Sequence, residues 1–197
     1  GDGPKFLGQG YASLLEVKIE LARRALESCV LCGRGCGVNR LKGEKGLCGL
    51  GQEAAVGGMF IHIAEEAPIN PSLLIELYGC GMRCKFCQQE ELLDCRNKVG
   101  RPLDGRLWQW IHTDGARSLT FIGGNPDESL YAILNFLDAA PEDFSLPIVW
   151  NAHGYGSRVT CGLLDGVVDA YVTDVKYGNN RCAEKWSLSP GYTEVAQ

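Results

Sequence analysis

Cys80-Gly81-Met82-Arg83-Cys84-Lys85-Phe86-Cys87 places three thiols at C-x3-C-x2-C spacing directly after a short apolar run, residues 73–78. Three thiolates in so short a loop can ligate three irons of a 4Fe-4S cluster, whose usual complement is four. The fourth iron is then open, and an open coordination position is what separates a reactive metal site from a closed structural one. A structural zinc, or an electron-transfer cluster completed by the distant Cys95, is the blander alternative. A second group, Cys29, Cys32, Cys36 and Cys48, spaces its thiols x2, x3 and x11, and seven glycines fall between Cys29 and Gly51. These four could close around an auxiliary iron-sulfur cluster, the preferred reading, or around one zinc ion. The glycines free backbone N–H groups to turn toward sulfur. Cys95, Cys161 and Cys182 stand apart and default to packing roles.

Three further polar stretches each close an apolar run: Gly123-Gly124-Asn125-Pro126, Asn151-Ala152-His153-Gly154 and Asp174-Val175-Lys176. Each also has a plain structural reading. The first is a strand-to-helix turn with Pro126 at the first helical position. The second ends a strand with a hydrogen-bonded His153. In the third, Asp174 and Lys176, two apart on a strand, share a face and form an ion pair.

The apolar runs that would carry these loops are 73–78, 118–122, 146–150 and 167–175, and helical stretches fall between them at 107–112, 127–140 and 158–164. Strands alternating with helices predict parallel βαβ units, whose ligand loops gather at the C-terminal edge of the sheet. Each unit needs roughly 30 residues, so 72–197 has room for four or five strands and not for a closed eight-stranded barrel. The expected fold is α/β: an open, partial (β/α) barrel with parallel strands, over residues 72–197, preceded by a cysteine-rich metal-binding extension over 1–71. Within the extension, the capping box Ser13 to Glu16 starts a helix carrying Leu15, Ile19, Ala22 and Leu26 and ending near Ser28. Residues 29–51 are too glycine-rich for a helix or strand, so a bound metal is expected to hold them. Residues 53–65 read as a hairpin broken at Gly57-Gly58, and 67–71 as a proline-containing connection.

At 197 residues, 45% hydrophobic and 22% charged, the chain can bury one ordinary core with a small appendage. Its ten cysteines are clustered and no secretory pattern precedes them, which favours metal ligation over a disulfide scaffold. Lys and Arg number 19 against 24 Asp and Glu, and a net charge of -5 supplies no field for a polyanion, so nucleic acid is not an expected partner. No apolar stretch is long enough to span a membrane, and the first ten residues lack a signal pattern. A soluble cytoplasmic protein is expected, its start processed or trimmed because no initiating Met is present.

The cysteine loop together with Gly123-Gly124-Asn125-Pro126 resembles the radical S-adenosylmethionine enzymes. The resemblance implies that Cys80, Cys84 and Cys87 hold a 4Fe-4S cluster and that its open iron binds S-adenosylmethionine. Reductive cleavage then gives a 5'-deoxyadenosyl radical that abstracts hydrogen. Phe86 stands at the aromatic position that lies against the adenine. Gly123, Gly124, Asn125 and Pro126 match the family's Gly-Gly-Glu-Pro motif, with Asn125 in place of the acidic residue. Asp174 and Lys176 match the Asp-x-Lys motif of the glycyl-radical activating enzymes, and Asn151 and His153 occupy the place of their Asp-Thr-Asn-Gly. The four N-terminal cysteines resemble the signature of a subgroup of the pyruvate formate-lyase activating enzyme-like branch. That branch implies an electron donor such as flavodoxin or ferredoxin, a protein substrate activated as a glycyl radical, and further strands and helices beyond residue 197. The alternative function is a non-catalytic iron-sulfur electron-transfer or redox-sensor protein.

Overall fold

A computed structural model describes residues 12–93, 95 and 100–197; the first ten residues, read above for a signal pattern, lie outside the described part. The first element, α1 (Leu14–Ala25), carries the expected capping box, with the Ser13 hydroxyl accepting from the Glu16 amide and the Glu16 carboxylate accepting from the Ser13 amide. It ends at Ala25 rather than near Ser28, because the chain turns there and the Leu26 carbonyl accepts the Arg40 amide instead.

The strands are β1 (Ala55–His62), β2 (Ser72–Leu77), β3 (Arg101–Pro102), β4 (Ser118–Gly123), β5 (Ile148–Ala152) and β6 (Ala170–Thr173). They form one six-stranded sheet in the order β3-β1-β2-β4-β5-β6. β2, β4, β5 and β6 run parallel, while β1 is antiparallel to both β2 and β3. The fold is therefore α/β with a mostly parallel sheet. The hairpin expected over 53–65 is instead the single strand β1. Gly57-Gly58 do not turn the chain but form a bulge, where the register with β2 shifts between Val56 and Gly58.

The crossovers carry α2 (Leu130–Asp138), entered through a short 3-10 turn at Asp127–Ser129, and α3 (Arg158–Leu164). The helix expected over 107–112 is a 3-10 segment, Gly105–Trp110, capped by Asp104. Trp108 from this segment stacks on Phe136 of α2 at 4.4 Å between ring centroids. Ala22, Leu26 and Leu31 share one buried core with Ile75, Leu77, Phe121, Trp150 and the inner face of α2. The last strand is shorter than its apolar run, since Val167 and Val168 bond back to the Leu164 carbonyl as a turn. Two helices, α4 (Asn180–Ser187) and α5 (Tyr192–Ala196), were not anticipated, because α4 buries only Ala183 and Ser187 and so has no apolar stripe. No helix among the described residues is long and apolar enough to cross a membrane.

The glycine-rich segment also makes contacts to the rest of the protein. Buried Arg40 donates to the carbonyls of Gly51 and Glu128, the Gly33 amide donates to the Tyr155 carbonyl, and Leu31 and Leu50 are fully buried.

Candidate functional site

The loops that follow the C-terminal ends of the four parallel strands line one cavity of about 710 Å³. Cys80, Cys84, Phe86 and Cys87 come from the loop after β2, and Gly123, Gly124 and Asn125 from the end of β4. Asn151 and His153 come from the end of β5, and Asp174 and Lys176 from the loop after β6. Of the residues singled out in these motifs, Pro126 is not on the wall; it stands at the cap of the 3-10 turn that enters α2.

The β2 and β4 loops touch through glycine. The Gly124 amide donates to the Leu77 carbonyl at 2.7 Å, and a Cβ on Gly124 would stand 2.3 Å from the Gly79 carbonyl oxygen. Because that neighbour is backbone and cannot swing aside, Gly124→Ala is expected to destabilise the protein by about 1–3 kcal/mol. A lowered urea midpoint with unchanged slope would register it.

Behind the cavity lies a buried polar knot. Glu128 Oε1 accepts the Gly81 amide at 2.7 Å and Oε2 accepts the Asn125 amide group at 2.6 Å. Asn125 in turn accepts the His153 backbone amide through its Oδ1 at 3.2 Å. An amide side chain can donate to Glu128 and accept from His153 at once; a carboxylate at position 125 could not. His153 Nδ1 accepts the Tyr155 amide at 3.1 Å, while Nε2, within 3.8 Å of Glu128 Oε1, makes no hydrogen bond among the described residues. Burial raises the Asp127 carboxyl above its ordinary pKa, with Glu128 beside it adding to the shift. For Glu128 burial also acts upward, but His153 and Asn125 outweigh it and hold the carboxyl below its usual range. The surroundings of these two neighbouring carboxyls thus push them in opposite directions.

Tyr192, fully buried, joins the last two loops: its hydroxyl accepts the Lys176 amide at 2.9 Å and donates to the His153 carbonyl at 2.8 Å. Ser187 donates to the Cys84 sulfur at 2.9 Å. Burial raises the Cys84 thiol pKa, opposed by that hydrogen bond. Asp174 and Lys176 form an ion pair at 2.7 Å. Burial works against the charge on Lys176, yet Asp174 keeps its pKa above the ordinary lysine value.

Of the N-terminal thiols, Cys29, Cys32 and Cys48 are buried and Cys36 is exposed. Burial is the first cause raising the pKa of both Cys32 and Cys48, the latter to about 11, and Glu128 is the second for each. The Arg40 guanidinium lies 3.8 Å from the Cys29 sulfur. A Cβ on Gly81 would meet the Cys32 sulfur at 3.0 Å, so the two cysteine groups abut. Cys95 donates to the Cys48 carbonyl at 3.1 Å and belongs beside that group rather than on the cavity wall. Among the described residues, no group of three or more His, Cys, Asp or Glu side chains is gathered as the ligands of one metal ion.

Glu128, Tyr192, Ser187 and Arg40 were not picked out from the sequence. Glu128 follows a proline at a helix start, where an acidic residue ordinarily complements the helix dipole in solvent, so its burial has no sequence signal. Phe60, His62 and Glu65, which also line the cavity, were missed for a related reason. Their place there depends on β1 being one strand antiparallel to β2 rather than a hairpin.

No family model matches the chain. An uncharacterized protein of Methanocaldococcus jannaschii is 32% identical over 191 residues, an alignment covering 93% of this chain and 55% of that protein. The chain therefore spans about half the length of this curated relative, and a match of that extent takes in both the cysteine-rich segment and the sheet.

Proposed function

We propose that this protein is a radical S-adenosylmethionine enzyme of the pyruvate formate-lyase activating enzyme-like branch, its sheet forming part of a (β/α) barrel. The observation that carries the reading is the convergence of four separate motifs, from Cys80 to Lys176, on one cavity. The residues suit the cofactors. Cys80, Cys84 and Cys87 are outside any disulfide, and His153 brings to the cavity a buried Nε2 that faces Glu128 but makes no hydrogen bond among the described residues. A 4Fe-4S cluster carries its thiolates on separate irons, so it does not need them gathered around one point. When bound, the cluster and S-adenosylmethionine would supply reductive cleavage to a 5'-deoxyadenosyl radical for hydrogen abstraction. The chain's own part is to hold and orient. Cys80, Cys84 and Cys87 ligate, Phe86 offers a ring to the adenine, and the backbone of Gly123 and Gly124 admits the methionyl end. Asn125 fixes the His153 loop, and Asp174 with Lys176 meets the carboxylate. Activation of a glycyl-radical protein is the reaction this branch suggests, and a cytoplasmic setting would keep the thiols reduced.

For the N-terminal thiols we favour an auxiliary cluster. Four thiols spaced x2, x3 and x11 could instead close around one zinc ion.

Lys176 is expected to release Asp174 in part and bind the cofactor carboxylate through a charge-assisted hydrogen bond worth about 1.5–3 kcal/mol. Asp174→Ala and Lys176→Ala should each raise the dissociation constant for S-adenosylmethionine by roughly one to two orders of magnitude, read by calorimetry, with iron-sulfur absorbance unchanged. Unaltered affinity in both variants would leave the pair a structural ion pair.

The reading as a whole is tested by anaerobic reconstitution with iron and sulfide followed by dithionite reduction. Formation of 5'-deoxyadenosine from S-adenosylmethionine is expected. A reduced cluster that forms none would make the protein a non-catalytic electron-transfer or sensor module.

A further inference from the structure

The outer face of the cysteine loop is cationic, on a chain whose net charge is -5. The amides of Arg83 and Lys85 donate to the carbonyls of Ser187 and Trp186, each at 2.8 Å, so the loop lies along the end of α4. Lys85 and Lys185 stand over the Trp186 ring at 5.4 and 4.9 Å from its centroid. Arg34 reaches across from the N-terminal segment to the carbonyls of Gly81 and Leu188. Arg181, one helical turn before Lys185, is exposed, and Glu184 is the carboxylate of α4 itself. Between the cations, Trp186 and Leu188 are 42% and 53% exposed, an apolar centre with a charged rim.

Charge and position together say what fits. On an acidic chain, a local cluster of cations steers an acidic partner to this face. The face also backs directly onto a ligand of the cluster proposed above, since Ser187, flanked by Trp186 and Leu188, donates to the Cys84 sulfur. Neither Trp186 nor Ser187 lines the cavity, so this route to Cys84 does not cross the space assigned to S-adenosylmethionine and substrate.

We propose that this face docks an acidic one-electron carrier protein, with Trp186 at the centre of the contact and Ser187 bridging it to Cys84. The inference rests on the cluster assignment. In the step, one electron leaves the reduced flavin or 2Fe-2S centre of the carrier, which is oxidised by one, and enters the cluster, which is reduced by one; no bond or proton is transferred.

The test uses the reconstituted protein, a purified acidic flavodoxin as probe, and the double variant Lys85→Glu, Lys185→Glu. Affinity for flavodoxin is measured by calorimetry at low salt and at about 1 M, where the Debye length falls to about 3 Å. The dissociation constant should rise at least about tenfold in the variant, and likewise for the wild type in high salt. Cluster reduction by reduced flavodoxin should slow by a similar factor, while reduction by dithionite, which needs no docking, stays unchanged. Arg181→Glu serves as a second variant should the first not fold. An affinity within about twofold of wild type in the charge-reversed protein, or duplex DNA binding the face as tightly as flavodoxin, would overturn the proposal. If dithionite reduces no iron-sulfur centre in the wild type, the cluster assignment falls, and the binding measurements still decide the docking face separately.

Discussion

Replacing Cys80, Cys84 and Cys87 together by Ala is expected to abolish 5'-deoxyadenosine formation while leaving metal at the N-terminal thiols. The two groups abut, with Cys32 packed against Gly81, but no thiol belongs to both. The fold should survive. Cys→Ala at the buried Cys80 and the half-buried Cys84 removes sulfur contacts with the Met82 amide and the Ser187 hydroxyl, leaving Gly81 bound to Glu128. Weak bonds to sulfur of this kind cost no more than an ordinary hydrogen bond, about 0.5–1.5 kcal/mol each. Loss of activity without loss of structure therefore separates ligation from scaffolding. The measurements are chromatographic detection of 5'-deoxyadenosine, iron content, and the far-ultraviolet dichroism of the variant. Iron content should fall by the share of one cluster. Retained cleavage in the triple variant would remove the assignment of the reactive centre to this loop.

The site was more legible than the scaffold, for a physical reason. Residues that meet a ligand from loop ends carry their chemistry in short contiguous strings, and Cys80 to Cys87, Gly123 to Asn125 and Asp174 to Lys176 stay adjacent in space because they are adjacent in sequence. The strands β2 and β4 were equally plain, as buried parallel strands read as unbroken apolar runs. β1 was misread because two successive glycines signal a turn by default, whereas here they make a bulge within a strand. The supports of the site were invisible: Arg40 and Tyr192 act on loops far away in the chain, and nothing local marks them. α4 was hidden by its polar surface, the same surface whose cations now give the face beside Cys84 its character.

Glu128 is where the largest loss of stability is expected. Its two carboxylate oxygens bind the cysteine loop through Gly81 and the β4 loop through Asn125, and its charge faces His153 from the β5 loop, while its own carbonyl receives Arg40 from the N-terminal segment. Glu128→Ala leaves the side-chain partners buried and unsatisfied. The cost of removing one member of such a buried charged set is about 3–5 kcal/mol. Glu128→Gln keeps an acceptor for the Gly81 amide but turns an N–H₂ group toward the Asn125 donor, so about 1–3 kcal/mol is expected. Acidity gives a second signature. Because the folded carboxyl titrates below its ordinary range, its stabilisation is fully present above the unfolded value of about 4.3 and is lost as pH falls through the lower folded value. The Gln variant should lack that component, so the stability gap between it and the wild type should narrow on the acid side. Urea unfolding of the three proteins at neutral and acid pH measures both effects. A loss under about 1 kcal/mol in Glu128→Ala, or a gap independent of pH, would mean that the three loops are held in register by their backbone bonds and glycine contacts alone.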